Sequence, residues 1–174
     1  GGMGQVFLAR DTRLGRLVAI KTWLSTMASA KERERWLQLF RRDAASTAQL
    51  NHPNIVTLHE LGVDGTHPSG LEVPYMVLEH LDGRALDEII LAERVELPRI
   101  REWARQIALA LQFAHERGVI HRDLKPANVF VLHAGGVKIL DFGIALLKMT
   151  QTDMNEAFQR SQDQLERYLG DELH

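Results

Sequence analysis

No cysteine occurs among the 174 residues, so the chain can hold no disulfide framework, no thiolate metal site and no cysteine nucleophile, which fits a reducing compartment. An excess of charge is lacking too: the formal net charge is -2, too small to set up a field that draws in nucleic acid or an anionic membrane. Neither is an expected partner. No long apolar run is present, since Ile107 to Leu111 falls far short of the roughly 20 residues a bilayer needs. No membrane segment is therefore expected. The first residues show no basic stretch followed by an apolar one, which argues against a signal peptide and for a cytoplasmic location. Internal repeats and low-complexity tracts are also missing. What is there, 45% hydrophobic and 25% charged residues, is the composition of one soluble globular domain.

Two runs rich in Val, Leu and Ile, Val6 to Ala9 and Leu17 to Trp23, flank the turn-prone stretch Asp11 to Arg16, and this predicts a β-hairpin. Ser29 and Glu32 have capping-box spacing, after which Trp36, Phe40, Ala44 and Thr47 recur at helical intervals up to about Leu50. His52-Pro53 ends that helix. Strands are expected at Ile55 to Leu61 and Val73 to Leu78, and Asp82-Gly83 precedes a short helical stretch. A longer helix has Pro98 in its first turn, an apolar face of Ile100, Trp103, Ile107, Leu111 and Ala114, and Gly118 as its stop. Val129 to Leu132 and Val137 to Leu140 flank Ala134-Gly135-Gly136 and read as a second hairpin. A polar helix is expected from about Asp153 to Leu169, ended by Gly170. Strands lead and helices follow, which predicts an α+β layout.

The chemistry is concentrated in a few strings. Gly1-Gly2-Met3-Gly4-Gln5-Val6 stands immediately before a strand, where a backbone without side chains can approach phosphates. By itself such a turn is more often only a turn. Val18-Ala19-Ile20-Lys21 puts an ammonium on the second hairpin strand, a point charge suited to phosphate oxygens. His121-Arg122-Asp123-Leu124-Lys125-Pro126-Ala127-Asn128 brings an aspartate, a lysine and an asparagine into one loop, and Asp141-Phe142-Gly143 follows thirteen residues after Asn128. Phosphoryl transfer needs those groups: a carboxylate for the attacking hydroxyl, a cation for the moving phosphate, and oxygen ligands for magnesium. The eight histidines show no metal-ligand spacing.

These strings, with Leu-Asn-His-Pro-Asn-Ile-Val from Leu50 and Asp-Phe-Gly-Ile-Ala from Asp141, resemble the bacterial Hanks-type serine/threonine protein kinases over about Gly1 to Leu147. The resemblance implies a small antiparallel sheet lobe with one helix at 1–81, lacking its first strand. It implies a partial helical lobe with the catalytic loop at 82–147 and a divergent polar helical tail at 148–174. ATP and Mg2+ are the implied cofactors. Gly1, Gly2, Met3, Gly4, Val6, Ala19 and Lys21 would meet the nucleotide, together with the gatekeeper Leu78 and the hinge of Glu79, His80 and Leu81. Asp123 would be the catalytic base, Lys125 would neutralise the γ-phosphate, and Asn128 and Asp141 would hold the metal. Lysine two places after the aspartate is the serine/threonine pattern, so the implied partner is a protein substrate carrying serine or threonine, beside a partner kinase or a second copy of the chain.

The sequence also departs from the family. Where the family places a glutamate to pair with the strand lysine, Asp43 stands, one methylene shorter; a misplacement of about 1 Å can cost about 10²-fold in rate. A solvated helix aspartate is the plainer reading of the same residue. No Ala-Pro-Glu string or large helical subdomain follows Asp-Phe-Gly, and Thr150 and Thr152 stand where an activation-loop threonine would be. The chain therefore reads as a fragment truncated at both ends, and Trp103, Ile107 and Leu111 are expected to lie partly exposed. Two functions remain open at this point, phosphoryl transfer to proteins and a catalytically impaired module that binds a nucleotide or a partner.

Overall fold

The alternating runs at the start form antiparallel strands β1 (Gln5–Asp11) and β2 (Arg16–Thr22). Their turn is closed by the Asp11 carboxylate, which accepts the backbone N–H groups of Arg13 and Leu14 at 3.0 and 3.1 Å. Gly15 supplies the left-handed residue there, at φ 68°. In the computed structural model the described residues are 5–23, 30–65 and 73–142, and within the helix at 30–48 some side chains fall outside the description.

Strands β3 (Leu58–Asp64) and β4 (Val73–Glu79) complete an antiparallel sheet in the order β1-β2-β4-β3. Residues directly opposite one another share a face. Val6 lies opposite Lys21, which lies opposite Met76, while Leu8, Ala19 and Leu78 form the next row. Helix α1 (Ala30–Ala48) covers the β4 and β3 side of this face, because Leu37, Phe40, Ala44 and Thr47 recur at three- and four-residue steps and are all buried. Leu37, Phe40 and Ala44 cluster with Trp23 and Met76, and Trp23 meets the Phe40 ring edge-on at 5.2 Å. The register therefore puts Lys21 on the helix side of the sheet.

The second half has strand β5 (Gly83–Ala85), helices α2 (Leu86–Ala92) and α3 (Leu97–His115), a 3-10 turn at Pro126–Asn128, and strands β6 (Val129–Leu132) and β7 (Val137–Ile139). These strands form a smaller sheet in the order β5-β6-β7. Pro98 sits in the first turn of α3, and Gly118, at φ 71°, follows its end. The hairpin expected around Gly135 and Gly136 is present, with both glycines at positive φ. Among the described residues no helix is long and apolar enough to cross a membrane.

Three expectations are corrected. The strand predicted at Ile55 to Leu61 begins only at Leu58; Ile55 makes a single bridge to Ile139, and Val56 N–H donates to the Ile139 carbonyl at 3.0 Å. Ile55 and Val56 are consecutive and both buried, which the alternation of a one-sided strand does not allow. They tie the large sheet's connection to β7 instead. Asp82-Gly83 is expected only to precede a helical stretch, yet Gly83 opens a strand and pairs with Leu132. Trp103 is only 6% exposed, covered by Ile89, Val129, Val131 and Val137. Ile107 and Leu111 are partly buried as expected, whereas Ile100 stays exposed. The Ser29 cap, the Trp36 side chain and everything after Phe142, including the helix expected up to Leu169, lie outside the described residues.

A Cβ built at Gly83 would collide with the Val131 carbonyl, so Gly83→Ala should cost about 1–3 kcal/mol of stability by overpacking, measurable as a lowered thermal midpoint. His52 gives a pH dependence. Burial, helped by the Lys138 charge, lowers its pKa from 6.5, and its ring lies 5.1 Å from that of Phe113. The folded chain thus binds fewer protons than the unfolded one just below that value, and stability is lost as pH falls through 6.5. Thermal midpoints over this range should fall less steeply in His52→Gln than in the parent.

Candidate active site

After α3 the chain turns at Gly118 and enters the segment His121 to Asn128. His121 is buried; its Nε2 hydrogen-bonds the Leu140 carbonyl at 2.7 Å, and its ring meets Phe142 edge-on at 4.7 Å. A carbonyl only accepts, so Nε2 carries the proton, leaving Nδ1 to accept the Asp123 N–H at 3.3 Å. One side chain thereby links the loop holding Asp123 to the segment holding Asp141.

Asn128 is buried and donates its Nδ2 to the Asp123 carbonyl at 2.6 Å and to Asp123 Oδ2 at 3.2 Å. Lys125 Nζ stands 3.3 Å from the same carboxylate oxygen. The Leu140 N–H donates to the Asn128 carbonyl at 2.8 Å, which brings Asp141 beside this loop. From the large sheet Lys21 Nζ reaches both Asp141 oxygens, at 2.5 and 2.6 Å. These side chains are 16% and 14% exposed, so water screens the pair weakly. Asp141 itself has φ 59°, a left-handed conformation that an aspartate tolerates and most residues avoid.

Lys21, Asp123, Lys125, Asn128 and Asp141 are thus brought together by β2, one loop, one 3-10 turn and the end of the β7 segment. Ala19 and Leu78 are cross-strand partners in the row next to Lys21 and Met76. Glu79 ends β4, and its side chain is committed to structure. Its Oε1 accepts the Thr57 N–H at 2.7 Å and Lys138 Nζ at 2.5 Å, while Lys138 also donates to the Ile55 carbonyl at 3.3 Å. Its carboxylate is therefore anchored on the β7 side, and His80 and Leu81 follow directly. Val6 lies on β1 and is well exposed. Gly1, Gly2, Met3 and Gly4, the Asp43 side chain, Gly143, Thr150 and Thr152 lie outside the described residues.

Reasoning from the sequence missed Lys138 and gave Thr47 no role beyond the helix face. The signal for Lys138 was a lone lysine between two buried residues in Val137-Lys138-Ile139, which alternation turns to the opposite face. Thr47 is a hydroxyl ending an apolar stripe, and its Oγ1 donates to the Phe142 carbonyl at 2.7 Å. The donor set offered to a metal is oxygen only: the Asp141 carboxylate and the amide oxygen of Asn128, whose nitrogen is already used. This fits Mg2+, a hard cation held by one or two protein oxygens together with phosphates and water.

The chain matches the family described as protein kinase domain over residues 1–165. It is 44% identical over 159 residues to a probable serine/threonine-protein kinase of Streptomyces coelicolor, covering 87% of this chain and 23% of that protein. To the serine/threonine-protein kinase PknA of Mycobacterium tuberculosis it is 40% identical over 159 residues, 88% of this chain and 36% of the relative. With PknB of the same species it shares 43% identity over 146 residues, 83% of this chain and 22% of the relative. The chain thus spans between about a fifth and two fifths of the length of these curated relatives.

The Lys138–Glu79 ion pair is mostly buried, at 13% and 24% exposure. Removing the lysine leaves a carboxylate short of its charged partner, so Lys138→Met should cost about 1–3 kcal/mol, with Lys138→Arg closer to the parent. Denaturant melts check this, and a methionine variant as stable as the parent would show that the ion pair adds no net stability.

Proposed function

The chain belongs to the protein kinase family, and from that premise we propose that its residues perform ATP-dependent phosphoryl transfer to serine or threonine of proteins. The observation that carries this reading is the convergence of Lys21, Asp123, Lys125, Asn128 and Asp141 in one contiguous network. Asp123 orients the substrate hydroxyl and accepts its proton as the oxygen bonds to the γ-phosphorus and the bond to the β-phosphate oxygen breaks. Lys125, half-exposed beside Asp123, balances negative charge on the γ-phosphoryl group. Lys21 exchanges Asp141 for oxygens of the α- and β-phosphates. Asn128 and Asp141 hold Mg2+, which when bound neutralises phosphate charge.

Gly1 to Gly4 and Val6 would cover the phosphates, and Ala19, Leu78, Glu79, His80 and Leu81 would receive the adenine. Residues 1–81 then act as the nucleotide-holding lobe, 82–147 as the catalytic lobe in part, and 148–174 as a tail. The partners are a protein substrate and, beside it, a partner kinase or a second copy, in the cytoplasm. A second reading, a module that holds nucleotide or a partner without efficient turnover, is favoured by Asp43 standing where the family has glutamate.

ATP with Mg2+ should raise the melting temperature of the chain, and Asp141→Ala should abolish that rise. Asp123→Asn should keep the rise while lowering transfer to a generic protein substrate by about 10²–10⁴-fold. A rise with no transfer in the parent selects the second reading; no rise in the parent overturns phosphoryl transfer and the nucleotide-holding form of the second reading.

A further inference from the structure

Helix α3 buries one apolar stripe and leaves a second one beside it uncovered. Trp103, Ala110 and Ala114 are buried in the core. Along the adjacent flank Leu97, Ile100, Ala104, Ala108 and Leu111 follow one another at three- and four-residue steps. Leu97 is 57% and Ile100 45% exposed, the two alanines are exposed, and Leu111 is half-buried. The solvent side of a globular helix is ordinarily polar, so five apolar residues in one row need a cover. The alanines in the middle of the row let another helix approach closely.

The sequence beyond Phe142 contains a segment with the matching pattern. Within the helix expected at Asp153 to Leu169, Met154, Phe158, Ser161, Leu165 and Tyr168 recur at alternating steps of four and three, which assigns them to one face. Charge complements the pattern. On α3 Arg99, Arg101 and Arg105 stand against Glu102 alone, whereas residues 153–172 carry six carboxylates against Arg160 and Arg167.

The tether is also long enough. Phe142 belongs to the same buried cluster as Ala110 and Ala114, so the segment that follows it starts beside α3. Ten residues separate Phe142 from Asp153, about 33 Å of extended chain, and α3 with its 19 residues is about 28 Å long. Every point of the stripe is within reach. Tethering holds the segment at an effective concentration in the millimolar range, an advantage that a second copy does not have.

We propose that Asp153 to Leu169 docks as an amphipathic helix on the stripe from Leu97 to Leu111 of α3, with Phe158, Leu165 and Tyr168 placed around Ala104 and Ala108. The stripe contains none of the residues assigned to phosphoryl transfer, so the inference stands apart from the proposed function.

The test uses the absence of cysteine from the chain. Ala104→Cys is combined with Ser161→Cys in the full chain, and linking by a short bis-maleimide is followed by gel mobility and mass spectrometry. The control combines Ser161→Cys with Leu14→Cys, at the exposed β1–β2 turn. The first pair should be linked within one chain about tenfold faster than the control, and adding Leu165→Asp should bring the two rates together. Equal rates without Leu165→Asp overturn the proposal and leave the stripe to a different partner. Linkage mainly between two chains overturns it in favour of a second copy. An unchanged rate in the Leu165→Asp variant overturns the apolar face as the cause of docking. Should the Ala104→Cys chain fold poorly, Ala108→Cys takes its place and is read in the same way.

Discussion

The ion pair between Lys21 and Asp141 is the contact on which the arrangement depends. It joins residues 120 positions apart, one on the large sheet and one just past the small sheet. Two charges taken this far out of water gain little net stability from each other, since their desolvation offsets most of the attraction. What the pair does instead is make misplacement expensive, because either group alone would be a weakly hydrated charge. The surrounding structure is arranged to keep both in reach. The register Val6–Lys21–Met76 turns the lysine toward α1, and the Leu140–Asn128 backbone bond and the His121 ring hold the aspartate segment beside the loop from His121 to Asn128.

The same economy explains the tie between the two sheets. Ile55 and Val56, the Lys138–Glu79 clamp and the bond from Ile139 N–H to the Asn54 carbonyl at 2.9 Å all sit at one seam. Gln106 on α3 extends it, accepting the Asn54 side-chain amide and the Val137 N–H with one oxygen, both at 2.9 Å. The apolar residues exclude water from the seam, and the polar ones are satisfied within it. The end of β4 is thereby set at a defined distance from β7.

Local signals were readable where one residue type can do only one thing. Alternating Val and Ile around Lys21, proline in the first turn of α3, glycine at its stop, and the paired glycines of the second hairpin each announced their element. The family resemblance followed from strings such as those around Asp123 and Asp141, and the match over residues 1–165 agrees with it. Illegible were the features whose cause lies far away in the chain. Ile55 and Val56 look like a strand until β7 arrives to separate them. Gly83 looks like no more than the residue before a helical stretch, because the carbonyl that excludes a side chain belongs to Val131. Thr47 looks like an ordinary helix residue until Phe142 presents its carbonyl. A single residue's pattern carries its local preference, whereas these roles depend on a partner tens of positions distant.

The pairing of Lys21 with Asp141 also constrains the order of events under the proposed function. In the nucleotide-free chain the two charges balance each other. A triphosphate that recruits Lys21 by itself leaves the Asp141 carboxylate facing phosphate oxygens at short range, a like-charge arrangement that the weak screening of this site makes costly. A cation arriving by itself meets a carboxylate already held at 2.5 and 2.6 Å by an ammonium. The two together would satisfy both charged side chains, Lys21 through the phosphates and Asp141 through the cation. Under that proposal nucleotide and Mg2+ would be coupled ligands, because the Lys21–Asp141 pair would have to open for either of them and its opening would be compensated only with both present.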